Sequence, residues 1–144
     1  MERREPLRCH LLDTGVLYAV ADEDDADHTQ CVAYVSTLRG RLLVPAPVIV
    51  ETSQLIERRL GPDNEAVFLD LFSVGTLEAV DLTTEDYVRV AELVRRYADF
   101  PLGTVDASVV AVAERLGLTE VATLDHRHFS AVRPRHTKAF TLFP

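Results

Sequence analysis

Cysteine is scarce in this sequence, with only two in 144 residues. Cys9 lies in a predicted strand and Cys31 in a predicted helix, and no CxxC spacing links them. This pattern argues against a disulfide framework and against a zinc site built from thiolates. We therefore interpret both cysteines as reduced, small apolar packing residues.

The sequence also has no long apolar run. Residues 1–6 include two Glu and two Arg, and the apolar run that follows is soon interrupted by Asp13. Such a start is typical neither of a signal peptide nor of a membrane span. We expect a cytoplasmic protein that makes no membrane contact.

Basic residues are outnumbered, because 15 Lys and Arg stand against 23 Asp and Glu, for a formal net charge of -8. A chain of this charge repels polyanions at long range. A nucleic-acid substrate would therefore have to be held by local basic patches and by bound cations, whereas a basic protein partner suits the charge directly.

No repeat, low-complexity tract or flexible linker divides the chain. Strand-like and helix-like segments alternate, which indicates βα units and a mainly parallel sheet. The first predicted strand starts at Cys9, and the other four cover residues 42–44, 77–82, 120–125 and 139–142. Five main helices are predicted. The first is capped by Asp27 and ends at Gly40, the second starts at Pro47 and ends at Gly61, and the third starts at Pro62. The fourth is capped by Thr83 or Thr84, and the fifth is capped by Thr104 and ends at Gly117.

Four acids are predicted at one edge of this sheet. Asp13 and Asp125 each end a predicted strand, while Asp106 opens a helix and Glu51 lies one turn into a helix that follows a strand. In a right-handed parallel sheet these positions share the carboxyl edge. Glu51 is predicted on the inward, apolar face of its helix, where an ionised carboxylate needs a cation, hydrogen bonds or a raised pKa.

Together these acids predict a metal site. Carboxylate oxygens suit Mg²⁺ or Mn²⁺, with the remaining positions filled by water and substrate phosphate. Each acid alone also has a structural interpretation, since Asp106 suits a first helical turn and Asp13 or Asp125 suits a turn that accepts backbone N–H groups.

Other sites fit the sequence less well. The acidic run 22–27 lacks the ligand spacing and central glycine of an EF-hand and is interpreted as a solvated loop. His126 and His128 form an HxH pair that would suit zinc, but a loop that contacts solvent or a nucleic-acid phosphate is favoured. A haloacid-dehalogenase-type phosphatase needs a second Asp where Gly15 stands. A receiver-like module needs acids at a strand end, and Asp24 and Asp25 do not lie at one.

Four segments resemble the PIN-domain nucleases and, within them, the VapC-type toxins of bacterial toxin–antitoxin pairs. They are LLDTGVLYA at 11–19, VIVETSQL at 48–55, YADFPLGTVDASVVAVAERLG at 97–117 and VATLDHRHF at 121–129. The resemblance implies a single PIN domain over residues 1–144, with a three-layer α/β/α fold around a central, mainly parallel sheet of four to five strands.

The resemblance also implies a function. The acidic site of Asp13, Glu51, Asp106 and Asp125 would bind Mg²⁺ or Mn²⁺ and cut structured RNA such as tRNA or ribosomal RNA. A metal-activated water would leave a 5′-phosphate and a 3′-hydroxyl. Homodimers and silencing by a cognate VapB-like antitoxin are expected. The alternative is a catalytically silent PIN-fold module that acts through its protein partner alone.

Further residues follow from the same resemblance. Thr14 and Thr123 match hydroxyl positions that support Asp13 and Asp125, and Asp99 matches a frequent family residue that either supports the site or orders its loop. Gly15 is a departure, because many relatives carry Ser or Asn there. Contacts with an RNA backbone are expected from Arg127, Arg133 and Arg135 in the basic stretch after Asp125.

Overall fold

A computed structural model describes residues 7–144. The strands in this range are β1 (Cys9–Leu12), β2 (Arg41–Pro45), β3 (Glu78–Val80), β4 (Glu120–Ala122) and β5 (Thr141–Phe143). The helices are α1 (Thr14–Ala21), α2 (His28–Thr37), α3 (Ala46–Leu60), α4 (Pro62–Ser73), α5 (Thr84–Arg96), α6 (Thr104–Leu116) and α7 (His126–Ala131). The charged start at residues 1–6, on which the expectation about signal peptides rests, lies outside the described residues.

The five strands form one sheet in the order β3-β2-β1-β4-β5, and every neighbouring pair is parallel. Helices flank the sheet, so the predicted α/β fold with a parallel sheet of four to five strands is confirmed. Strand order runs outward from β1 in both directions, which makes the gap between the ends of β1 and β4 a topological switch point. Open α/β sheets bind their ligands at such a point.

The core is built from the central strands and the helix that carries Asp106. Leu12 of β1 and Val121 of β4 are fully buried, as are Val109, Val110 and Val112 of α6. Full burial of a valine or leucine side chain contributes roughly 1.5–3 kcal/mol. The structure thus confirms the largely buried helix that its apolar pattern predicts. Cys31 is buried in this core, Cys9 is half-buried, and both are free thiols.

Several predicted helix ends are confirmed. Thr83 caps α5 in a capping box with Asp86, whose side chain accepts the Thr83 backbone N–H. Gly61 follows α3, and Gly117 follows α6 in the left-handed conformation. Three other boundaries are wrong. Gly103 is the cap residue of α6 and Thr104 its first residue; Pro47 is the second residue of α3; and α2 already ends at Thr37.

Gly40 does not close a helix, because it serves the entry into β2 instead. Its φ is 114°, and a Cβ added there would lie 2.1 Å from the carbonyl oxygen of Arg8. The adjacent Arg41 N–H donates to that same oxygen at 2.8 Å. The close approach of the two chain segments where β1 and β2 start therefore requires a glycine.

The chain beyond β4 also differs from expectation. β4 ends at Ala122 instead of reaching Asp125, and α7 replaces the predicted loop. The reason is local: the Asp125 side chain accepts the backbone N–H of His128 and so starts the helix. β3 is shorter than predicted, and β5 begins two residues later than predicted.

Ion pairs fasten α5 to α6. Arg89 donates to the Glu114 carboxylate at 2.7 and 3.0 Å, and Arg115 donates to Asp86 at 2.9 Å. The backbone N–H of Arg135 also donates to Glu114, at 2.7 Å. These contacts hold the helix that carries Asp106 against α5 and the segment that follows α7.

Within residues 7–144, no helix combines the length and the apolar composition needed to cross a membrane.

Candidate metal centre

The carboxyl edge of the sheet holds an open cavity of about 730 Å³. It lies where β1 and β4 end and where α1 and α6 begin, with α3 on one side. All four sequence-predicted acids line it, and the complete lining is Asp13, Thr14, Gly15, Glu51, Gly103, Thr104, Val105, Asp106, Leu124 and Asp125. The four acids are therefore brought together from four separate parts of the chain.

Asp13 is the most buried of these acids. It joins β1 to α1, and only 5% of its surface is exposed. Its Oδ2 accepts a hydrogen bond of 2.9 Å from the Thr123 hydroxyl, whereas its Oδ1 has no hydrogen-bond partner within residues 7–144. Burial raises the pKa of Asp13 from 3.8 to about 6, against the opposing effects of the Thr14 amide and the Thr123 hydroxyl.

Thr123 contacts two of the acids at once. Besides donating to Asp13, its hydroxyl accepts the backbone N–H of Asp125 at 3.0 Å. The sequence predicts it only as a support for Asp125, so its contact with the Asp13 carboxylate is new. Thr14 differs, because its hydroxyl is buried and finds no hydrogen-bond partner among the described residues.

Asp106 is the third residue of α6 and is half-buried. Its pKa is raised from 3.8 to about 7, chiefly by burial and in addition by the nearby charges of Asp13, Asp125 and Glu51, while His128 lowers it. Asp106 therefore lies within the electrostatic reach of all the other acids. Carboxylates that repel one another in this way gain stability when a cation binds between them.

Glu51 is exposed, so its predicted burial on the inward face of α3 is wrong. The inward face of α3 is formed by Val48, Thr52, Ser53 and Ile56. One residue along an α-helix corresponds to a rotation of about 100°, so Glu51, which directly precedes Thr52, lies off the buried face. Its side chain lines the cavity instead. Its charge still raises the pKa of Asp13 and Asp106.

Asp125 is paired with His128, which lies in α7 and not in the loop that the sequence predicts. His128 Nδ1 lies 2.9 Å from Asp125 Oδ2 and 3.0 Å from Oδ1. One ligand atom from each of Asp106, Asp125 and His128 lies within 4.8 Å of the others. The i, i+3 spacing of Asp125 and His128 in the sequence is compatible with this pairing, but it brings the two side chains together only if the segment is a helix.

The remaining predicted residues lie outside the cavity lining. Asp99 is exposed in the turn before α6. The Arg133 guanidinium donates to the Ser130 carbonyl, and the Arg135 guanidinium forms an ion pair with Glu92 on α5. Arg127 lies on the segment directly after Asp125, and its guanidinium is 5.0 Å from the centre of the Phe100 ring.

This donor set fits a hard divalent cation. Four carboxylates face one cavity, and Asp13 Oδ1 is a buried oxygen without a partner in residues 7–144. A buried, unpaired carboxylate oxygen is costly, and a bound Mg²⁺ or Mn²⁺ would remove that cost while leaving positions for water and phosphate.

The model of the family described as PIN domain matches residues 10–133. The chain belongs to the PIN domain family. Ribonuclease VapC26 of Mycobacterium tuberculosis is 31% identical to it over 134 residues, which are 93% of this chain and 99% of that protein. The resemblance to VapC-type PIN-domain nucleases is therefore confirmed.

Solved structures share the fold of this PIN domain. The Mycobacterium tuberculosis toxin VapC20, described as cleaving the sarcin-ricin loop, has a TM-score of 0.74 and 19% identity, with 79% of this chain and 87% of that chain covered. DNA-bound VapBC from Salmonella typhimurium has a TM-score of 0.66 and 17% identity, with 95% and 97% covered.

Proposed function

We propose that this PIN domain is the metal-dependent endoribonuclease toxin of a toxin–antitoxin pair and hydrolyses phosphodiester bonds in RNA. The observation that carries the proposal is the convergence of Asp13, Glu51, Asp106 and Asp125 on one cavity. The identity to a protein named as a ribonuclease supports it.

Mg²⁺ or Mn²⁺ would be held by these four carboxylates, of which Asp13 is buried, Asp106 and Asp125 are half-buried and Glu51 is exposed. When bound, the cation supplies charge neutralisation on the scissile phosphate and a water of lowered pKa. The chain itself fixes the geometry. Thr123 holds one oxygen of Asp13, and the start of α7 holds Asp125. Glu51, at the exposed rim, completes the negative field that retains the cation.

The substrate is proposed to be a structured RNA such as tRNA or ribosomal RNA. Because the chain carries a net charge of -8, cations in the site and local arginines must offset the repulsion of the RNA backbone. Arg127, two residues after Asp125, is the arginine that we propose for a phosphate near the cavity. Arg133 and Arg135 would serve at a distance from it.

The partners are proposed from the same family membership. A cognate VapB-like antitoxin would silence the toxin, and an acidic chain favours a partner with basic residues. A homodimer, a cytoplasmic location and a single domain over residues 1–144 are proposed with it. Limited proteolysis of the full chain tests the single domain, and light scattering tests the homodimer.

The central test is RNA cleavage by the purified full chain with Mg²⁺ or Mn²⁺, followed by sequencing of the RNA ends. We expect cleavage that stops with a chelator, and a loss of at least about 100-fold, roughly 2.7 kcal/mol of barrier, for Asp13→Asn and Asp106→Asn. Asp70→Asn on the exposed surface of α4 is the matched control and should cut like wild type.

Two results would contradict the proposal. Equal cleavage by wild type and by both acidic-site variants would remove the catalytic assignment. Tight binding of an antitoxin without any metal-dependent cleavage would favour the silent binding module instead.

A further inference from the structure

The two histidines of the HxH pair lie in different surroundings. His126, the first residue of α7, is exposed, whereas His128 is half-buried and faces the Asp125 carboxylate. His128 also belongs to the group of three residues, with Asp106 and Asp125, whose ligand atoms lie within 4.8 Å of one another. The pair is thus split into a surface residue and a residue of the acidic cavity.

The spacing between His128 and Asp125 matches that of two ligands on one ion. Adjacent ligand atoms of an octahedral ion with bonds of 2.0–2.1 Å are about 3 Å apart. His128 Nδ1 lies 2.9 Å from Asp125 Oδ2. The ring nitrogen and the carboxylate oxygen therefore already have the separation that a shared cation requires, so a cation can take the place of the proton between them.

The imidazole ring is held in this position from two sides. Its ring centre lies 4.7 Å from that of Phe100, in a tilted stack. Its backbone is fixed within the first turn of α7, where the His128 N–H donates to Asp125 Oδ1 at 3.0 Å. A ligand whose orientation is fixed before binding loses less entropy when the ion arrives.

We propose that His128 supplies an imidazole nitrogen to the divalent cation held by Asp106 and Asp125, and that this nitrogen makes the site prefer Mn²⁺ over Mg²⁺. The inference rests on the proposed function, because it concerns the same cation. Mg²⁺ binds almost only oxygen, whereas Mn²⁺ also favours oxygen but, as a transition metal, accepts an imidazole nitrogen beside carboxylates more readily than Mg²⁺ does.

The experiment uses Mn²⁺ bound to the full chain and reads its ligands by pulsed electron paramagnetic resonance. A directly bound imidazole produces a ¹⁴N modulation of the Mn²⁺ signal, which changes when the histidines carry ¹⁵N. We expect this modulation in wild type and in His126→Asn, the matched control. It should be lost in His128→Asn and in His128→Phe, which keeps an aromatic ring against Phe100.

Calorimetric titration of the same proteins measures the metal preference. The dissociation constant for Mn²⁺ should rise by at least about tenfold in both His128 variants, since even the loss of a residue that only supports a metal ligand costs 10- to 100-fold in affinity. The constant for Mg²⁺ should change far less. His126→Asn should leave both constants unchanged.

The outcomes separate this inference from the proposed function. If Mn²⁺ binds and RNA is cut, but the ¹⁴N modulation is absent or survives in both His128 variants, the histidine ligand is wrong and the nuclease proposal stands. If the ratio of the Mn²⁺ and Mg²⁺ constants is the same in wild type and variants, the claimed preference is wrong. If no divalent cation binds, both proposals fail.

Discussion

The Thr123 hydroxyl donates a hydrogen bond of 2.9 Å to Asp13 Oδ2, although the two residues are 110 positions apart in the sequence. Thr123 is fully buried, and its backbone N–H donates to the carbonyl of Phe143 at 2.7 Å. Since the same hydroxyl accepts the Asp125 N–H, one side chain sets the position of two acids. The geometry of the cavity therefore depends on a residue that does not line it.

The first prediction concerns Thr123→Val, which keeps the shape and removes the hydroxyl. Asp13 would lose its donor in a buried position, so the free energy of unfolding should fall by about 1–3 kcal/mol at neutral pH, as measured by urea denaturation. Mn²⁺ affinity should fall by about tenfold or more in calorimetry.

Thr123→Ser restores the hydroxyl and should recover most of both losses. Thr119→Val, at an exposed position shortly before β4, is the matched control. If Thr123→Val and Thr119→Val behave alike, the hydroxyl does not hold the site.

The second prediction is that the metal-free protein loses stability as the pH rises from about 4 to about 7. The pKa of Asp13 rises from 3.8 to about 6 on folding and that of Asp106 from 3.8 to about 7, mainly through burial. The native state then binds more protons than the unfolded state in this range, so stability falls with pH. For Asp13 the full effect is roughly 3 kcal/mol.

Thermal melts in the presence of a chelator measure this slope. Asp13→Asn and Asp106→Asn should each flatten it and should raise the melting temperature of the metal-free protein at pH 7.5. Mn²⁺ should stabilise wild type at pH 7.5 far more than at pH 5, because protonated carboxylates bind cations poorly. A slope that is unchanged in both variants would mean that folding does not raise the pKa of these two acids.

The parallel sheet and the meeting of the acids could be predicted from the sequence. Apolar runs that end in Asp, as at Asp13 and Asp125, alternate with helical patterns, and parallel topology then fixes a shared edge. The depth of each acid could not be predicted. The apolar residues at 48 and 55 predict an inward position for Glu51, but the helix buries Thr52 and Ser53 instead.

The parts of the site that depend on long-range contacts were also missed. The bond from Thr123 to Asp13 crosses from β4 to the end of β1, and no local pattern indicates it. The role of His128 depends on a six-residue helix, and a segment that short has too few residues for a clear helical period. Short elements and contacts between distant segments are set by the completed sheet.

A third prediction tests the ion pair that fastens α5 to α6. Glu114→Gln removes the charge of the carboxylate that the Arg89 guanidinium contacts at 2.7 and 3.0 Å. The side chain of Arg89 is only 11% exposed, and Glu92, 3.4 Å away and 44% exposed, would be its remaining carboxylate partner among the described residues. Breaking a fully buried pair on one side typically costs 3–5 kcal/mol, and because Glu92 remains we expect a smaller loss, about 1–3 kcal/mol, in chemical denaturation. Arg89→Met combined with Glu114→Gln should recover part of it.

The exposed pair between Arg41 and Glu78 provides the comparison. Both side chains are about half exposed and their attraction is screened by water, so Glu78→Gln should cost clearly less than Glu114→Gln. Equal losses for Glu114→Gln and Glu78→Gln would show that burial does not strengthen the pair between α5 and α6.

The last prediction concerns Gly15, which lines the acidic cavity two residues after Asp13. Gly15 is the second residue of α1 and has no positive φ, and an added Cβ would lie 3.4 Å from the Cβ of Leu124, an ordinary contact. A glycine within a helix is less favourable than alanine by roughly 0.5–1 kcal/mol, so Gly15→Ala should stabilise the protein by up to about that amount. Gly61→Ala, where φ is 89°, should destabilise it in the same urea titration. A loss of stability in Gly15→Ala would mean that α1 and Leu124 pack too closely for a side chain, and that the glycine is required by the wall of the metal site.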